Sequence, residues 1–272
     1  MSVDFPGYAA LPDHELDLLT GALLIASDAY PGLDWDEQRA ELSALSEPLR
    51  RLGLSRLPGA AQARALADHL ALRCGFRGNT EDYYDPRNSF LNDVLALRRG
   101  IPISLSVLYI EVSRRAGVRA SGVGFPGHFL VRLDGGGAPI VIDPFNGGEV
   151  LDEAALAELL RRTNYRQPFS REMLAPTPVR HVIARMLMNL RGVYAARADY
   201  PRLLLVIDRF IDLMPDSIEE LRDRGFLYAR LGATEAAIAD LEAYTERLPH
   251  AGDVAEVRQA IRKLRGGSGL EN

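Results

Sequence analysis

RRGIPISLSVLYIEVSRRAGV, residues 98 to 118, reads as a helix entered through a Gly-Ile-Pro turn and left at Gly117. Pro102 suits the first helical turn, where a missing N–H loses no hydrogen bond. Leu105, Leu108, Val112 and Ala116 recur at helical spacing and predict one buried stripe. After Gly117 the period shortens. VRASGVG, HFLVRLD and APIVID are short runs rich in β-branched and aromatic residues, with Asp134-Gly135-Gly136-Gly137 as a hairpin turn between the last two. A buried helix feeding a small antiparallel sheet is therefore the centre of the fold.

Upstream, DHELDLLTGALLIASDAY places Asp13 as an N-cap before Leu16, Leu19, Leu23 and Ala26. DWDEQRAELSALSEPLRRLG and GAAQARALADHLALRCG repeat that grammar and end at Gly53 and Gly75, so the first ~80 residues form a helical layer. Asn88-Ser89 reads as the cap of FLNDVLALRR. Downstream, Asp152 caps EAALAELLRRT, and the proline-rich NYRQPFSREMLAPTPV reads as a linker.

From residue 179 the pattern is helical and repeats itself. Pro215 and Pro249, Tyr194 and Tyr228, and Leu190 and Arg224 are each 34 residues apart. That is the period of tetratricopeptide repeats, two helices per unit. Gly225, Tyr228, Gly232, Ala237 and Pro249 fall at the repeat's small, aromatic, turn, small and terminating positions, whereas the preceding unit has Arg191 and Leu203 at two of the small ones. The division is 1–165, a linker at 166–178, and a helical-repeat domain at 179–272.

The composition is that of a globular protein: 272 residues, 47% hydrophobic and 25% charged, with a formal net charge of -5. Acidic balance and scattered Lys and Arg give no footprint for nucleic acid. No apolar run approaches the ~18 residues that a membrane span needs. The single cysteine, Cys74, excludes an internal disulfide, and the N-terminal residues carry no secretory pattern, so the expected compartment is the cytoplasm. The five histidines lack ligand spacing and no phosphate-binding loop is present, so neither metal nor cofactor is expected.

His128 begins one strand and Asp143 ends the next, so pairing across the hairpin brings their side chains together. An aspartate accepting from one imidazole nitrogen aims the other at a third group, and a helix N-terminus is where a thiol would be activated. The same spacing equally fits a core histidine and a turn aspartate before Pro144. Asn92, Phe125 and Asn146 sit in segments flanking this helix start and the two candidates, and are the expected ligand-binding residues. Tyr83-Tyr84 suits either an aromatic wall or core. Cys74 falls at a helix C-terminus, where the dipole opposes thiolate formation.

The order GIP, helix, AGV, GHFLVRL, VIDP resembles the transglutaminase-like, papain-related core, in which a Gly-x-Cys turn opens a helix, a His-bearing segment forms a strand and Asp-Pro ends the next. Together with YYDPRNSFLNDVLALRRG and the repeats, nearly the whole chain resembles the bacterial SirB family. The resemblance implies an α+β transglutaminase-like domain with a helical N-terminal layer and a small antiparallel sheet, followed by all-α tetratricopeptide-like repeats. It carries His128 and Asp143 over to the site but leaves Pro102 in the cysteine column. The expected function is that of a non-catalytic binding, scaffold or regulatory protein, with a protein or peptide partner at the cleft and the repeats. The alternative is a hydrolase or acyl-transferase using another nucleophile such as Ser104, whose helical angle points it away from the direction of residue 102.

Overall fold

The computed structural model describes residues 4–135, 137–163 and 165–267. The chain forms two units: Leu11–Met186, and the residues before Leu11 together with those after Met186. The short helix α1 (Phe5–Ala9) therefore belongs with the C-terminal helices.

In the larger unit, α2 (Leu18–Ala29) is capped by Asp17, whose Oδ1 accepts from the Thr20 amide at 2.8 Å. Asp13, the cap expected from sequence, instead opens a 3-10 turn, Asp13–Glu15. Helix α3 (Trp35–Arg51) starts at Asp34, which accepts from the amides of Asp36 and Glu37. Helix α4 (Gly59–Ala67) continues as π-helical Asp68–Arg73 and is released at Gly75, where φ is +78°. A two-residue strand β1 (Arg77–Gly78) pairs in parallel with β2 (Arg99–Gly100), and α5 (Leu91–Leu97) lies between them in sequence. Neither Asn88 nor Ser89 caps α5; its N-cap is Phe90. Both are buried in a 3-10 turn that begins at Pro86, and the Asn88 amide is engaged elsewhere.

Helix α6 (Pro102–Arg115) is buried at every position from Pro102 to Ser113, all round and not on one stripe. The reason is its central place: α3, α5 and the sheet all pack against it. Its one buried carboxylate, Glu111, is ion-paired with Arg115 one turn on. The sheet is β3 (Ala120–Val123), β4 (Leu130–Leu133), β5 (Ile140–Asp143) and β6 (Glu149–Leu151), antiparallel in that order. The β4–β5 connection includes Gly136, which lies outside the described residues. Strand β6 is too short to leave a pattern in the sequence. On one sheet face Val123, Leu130 and Val141 pack with Leu156 and Leu160 of α7 (Glu153–Arg161) and with Phe169, Met173 and Leu174. Where the sequence suggests a linker, Phe169, Met173 and Leu174 thus pack on the sheet, and Thr177 Oγ1 accepts from the Gly124 amide at 2.8 Å.

The unit boundary falls inside α8 (Val179–Ala196). Four more helices follow: α9 (Tyr200–Leu213), α10 (Glu219–Arg230), α11 (Thr234–Arg247) and α12 (Val254–Gly267). Helices α9 and α11 have 14 residues each, and their N-caps, Asp199 and Ala233, share φ −82°. Gly232 closes the turn before α11 at φ +78°; Ala198, 34 residues earlier, takes the same left-handed region at φ +53°. A Cβ on Gly225 would stand 2.8 Å from Leu241 Cγ, so a glycine lets α10 and α11 cross closely. At the equivalent position of the preceding unit, Arg191 points to Glu220 and Asp223 instead. Leu241, Tyr244, Val254, Val257 and Ile261 form the core of α11 and α12. Phe5 of α1 packs at α9, with the Arg209 guanidinium 5.3 Å from its ring. No helix of the described residues is long and apolar enough to cross a membrane.

Candidate functional site

The sheet brings His128 and Asp143 together. Val131 faces Ile142 in the register, so the residues just before β4 reach the end of β5, and His128 Nε2 lies 2.8 Å from Asp143 Oδ2. Pro126-Gly127 forms the tight turn that delivers His128: its amide donates to Phe125 O at 3.0 Å, with Gly127 at φ +68°.

Asp143 is buried, with its residue only 1% exposed. Burial pushes its carboxyl up, but the His128 hydrogen bond and charge, followed by the Asn146 donors, outweigh that and hold it below the usual range. The amides of Phe145 and Asn146 donate to Oδ1, and Asn146 Nδ2 donates to Oδ2 at 2.8 Å. An ionised carboxylate only accepts, so His128 Nε2 carries the proton and Nδ1 of a neutral ring is an acceptor. Among the described residues nothing donates to that Nδ1.

Around the pair stand aromatic rings. Phe145 lies edge-on to His128, with ring centroids 6.1 Å apart, and Tyr83 meets Phe145 at the same separation. Gly78 is required here: a Cβ on it would come within 2.6 Å of the Phe145 ring, and its amide donates to Phe145 O at 3.1 Å. Asn88 holds the Tyr83 loop by donating to the carbonyls of Asp82 and Tyr83. Burial raises the Tyr83 hydroxyl, aided by Tyr84 and opposed by the nearby Arg185 charge.

The candidate nucleophiles are elsewhere engaged. Ser104 is 1% exposed. Its Oγ accepts from the Ile101 amide at 3.1 Å and donates to Asn88 O at 2.5 Å, closing the first turn of α6 and tying it to the 3-10 turn. Ser106 Oγ, two residues further along α6, donates to Phe129 O at 3.3 Å, which fixes α6 against the start of β4. Pro102 is buried at the first helical position. Cys74 Sγ lies 3.9 Å from His69, and burial raises its thiol despite Arg98 and Arg73.

The other expected ligand residues separate. Asn146 joins the site through Asp143. Phe125 contributes its carbonyl to the His128 turn, while its ring is wholly buried in the sheet core. Asn92, on α5, has no contact with the His128 pair, and its Oδ1 is buried without a partner among the described residues. Two residues escaped the sequence reading. Arg185, on α8, donates to His128 O at 3.3 Å. Tyr109, on α6, has a buried hydroxyl without a partner among the described residues, 3.2 Å from where a Gly148 Cβ would stand; burial, then the Asp143 charge, pushes it far up, so it stays neutral. No group of three or more His, Cys, Asp or Glu side chains among the described residues is arranged to hold a metal ion.

The chain belongs to the transglutaminase-like superfamily, whose family model matches residues 36–188, and a tetratricopeptide repeat model matches 190–262. More particularly, it is 42% identical over 258 residues, 92% of this chain and 90% of the relative, to a UPF0162 protein of Xylella fastidiosa strain Temecula1. A UPF0162 protein of Vibrio cholerae is 29% identical over 86% of this chain and 87% of that protein. Human F-box only protein 21 is 33% identical over 58% of this chain and 26% of that protein. No solved structure matches.

Proposed function

We propose that the transglutaminase-like unit is a non-catalytic binding cleft, and that the helical repeats recruit a protein partner. The observation that carries this reading is the engagement of Ser104: its hydroxyl is buried and hydrogen-bonded to Asn88 O and Ile101, not to His128. Acyl transfer needs a nucleophile within hydrogen-bond reach of its base. Pro102 supplies neither a heteroatom nor an N–H, and the Cys74 thiol is protonated at neutral pH and neighbours a different histidine. His128 and Asp143 then serve to shape the cleft.

The net charge of -5 favours a protein or peptide partner over nucleic acid, and a single cysteine suits the cytoplasm. The test is enzymatic. Purified protein is assayed for amine incorporation into a glutamine donor, peptidase activity and p-nitrophenyl acetate hydrolysis, beside His128→Ala. The expected result is the same background rate for both; turnover that disappears with His128→Ala would install the hydrolase reading.

A further inference from the structure

Beside His128 lies an open pocket of about 430 Å³, lined by the Pro126-Gly127 turn, Thr163, Tyr165 and Arg185. Arg185 is half-buried, and its one hydrogen bond among the described residues is the 3.3 Å contact with His128 O. Every other half-buried arginine among the described residues has a carboxylate within 4.0 Å, as Arg98 has Glu41, Arg132 has Asp134 and Arg224 has Asp240. Arg185 has none among the described residues, in a chain where acidic residues outnumber basic ones. A part-buried guanidinium with no counterion among the described residues is free to pair with an anion that a partner supplies.

The rim adds a second donor. The Gly127 amide has no acceptor among the described residues, and no carboxylate lines the pocket to repel an anion. We infer that this pocket binds a carboxylate of a peptide ligand, a C-terminus or an acidic side chain, through the fork of Arg185. A single guanidinium matches one planar monoanion, which it can hold with two parallel hydrogen bonds. A dianionic phosphate would leave charge uncompensated there. The aromatic rings of Phe145, against His128, and of Tyr83, against Phe145, suit an apolar residue next to the carboxylate.

This inference rests on the cleft being a binding site, and a binding titration separates the two. Full-length protein is titrated calorimetrically with N-acetyl-L-phenylalanine and with its amide, then repeated with Arg185→Gln and Arg185→Lys. The acid is expected to bind in the millimolar range and the amide at least about tenfold more weakly, since a hydrogen bond to a charged group is lost. Arg185→Gln brings the acid down to the level of the amide, and Arg185→Lys retains part of the difference. The acid–amide comparison on the unaltered protein needs no variant, and Trp35 fluorescence reports whether each variant is folded. Equal binding of acid and amide, no binding of either, unchanged affinity in Arg185→Gln, or equal competition by inorganic phosphate would each overturn the carboxylate assignment. Esterase turnover dependent on His128 would overturn the non-catalytic reading while leaving the acid–amide difference intact.

Discussion

Replacing His128 by alanine removes the Nε2–H donor from a carboxylate that is almost fully buried, while Phe145 and Asn146 continue to donate to it. A hydrogen bond to a charged group contributes about 1.5–3 kcal/mol. His128→Ala is therefore expected to lower stability by about 2 kcal/mol, and the double-mutant cycle with Asp143→Ala to return a coupling of about 1.5–3 kcal/mol. Trp35, the only tryptophan, lies on α3 of the same unit, with its indole donating to Ser27 Oγ at 2.9 Å. Urea unfolding followed by its fluorescence thus reports the unit that holds the pair. The pH dependence has a definite sign. Asp143 is held below its ordinary value, so its contribution is fully present above the unfolded pKa of ~3.9 and is lost as pH falls through the lower folded value. Asp143→Asn should flatten the stability profile below about pH 4. Additive single and double variants, with coupling under about 0.5 kcal/mol, would refute the view that the two side chains act as a pair.

In the repeats, Gly225→Ala should cost about 1–3 kcal/mol by overpacking against Leu241, read by circular dichroism during thermal unfolding. Ala198→Gly should stabilise by up to about 1 kcal/mol by relieving a left-handed alanine, whereas Gly232→Ala should destabilise by a similar amount. Burial raises the Cys74 thiol, so its alkylation by iodoacetamide at pH 7 should be slower than that of free cysteine and approach it only above about pH 9, measured as a pH–rate profile.

Long periods were legible in the sequence and local contests were not. The 34-residue spacing anticipated α9 and α11, because a repeat writes the same packing constraint twice. His128 and Asp143 were legible because a hairpin fixes which residues meet at its end. Asn88 misled because a buried amide was needed to hold the Tyr83 loop, and that demand overrode capping. Asp13 and Asp17 are both good caps, and only the burial of Leu18 and Leu19 decides between them. Arg185 left no signal: it stands 57 residues from His128, in a stretch that reads as the first repeat helix, and only tertiary folding brings it to the site. The all-round burial of α6 is likewise a property of its neighbours, since Glu111 and Ser113 look like a solvent face in the sequence.

The most direct measurement is labelling of the purified protein by a fluorophosphonate and by a reactive acyl probe, read by intact-mass spectrometry and peptide mapping, with His128→Ala as control. With Pro102 at the first position of α6 and Ser104 bonded to Asn88 O, the expected result is no adduct in the cleft of either protein. An adduct on Ser104 that vanishes in His128→Ala would contradict a cleft built for binding alone.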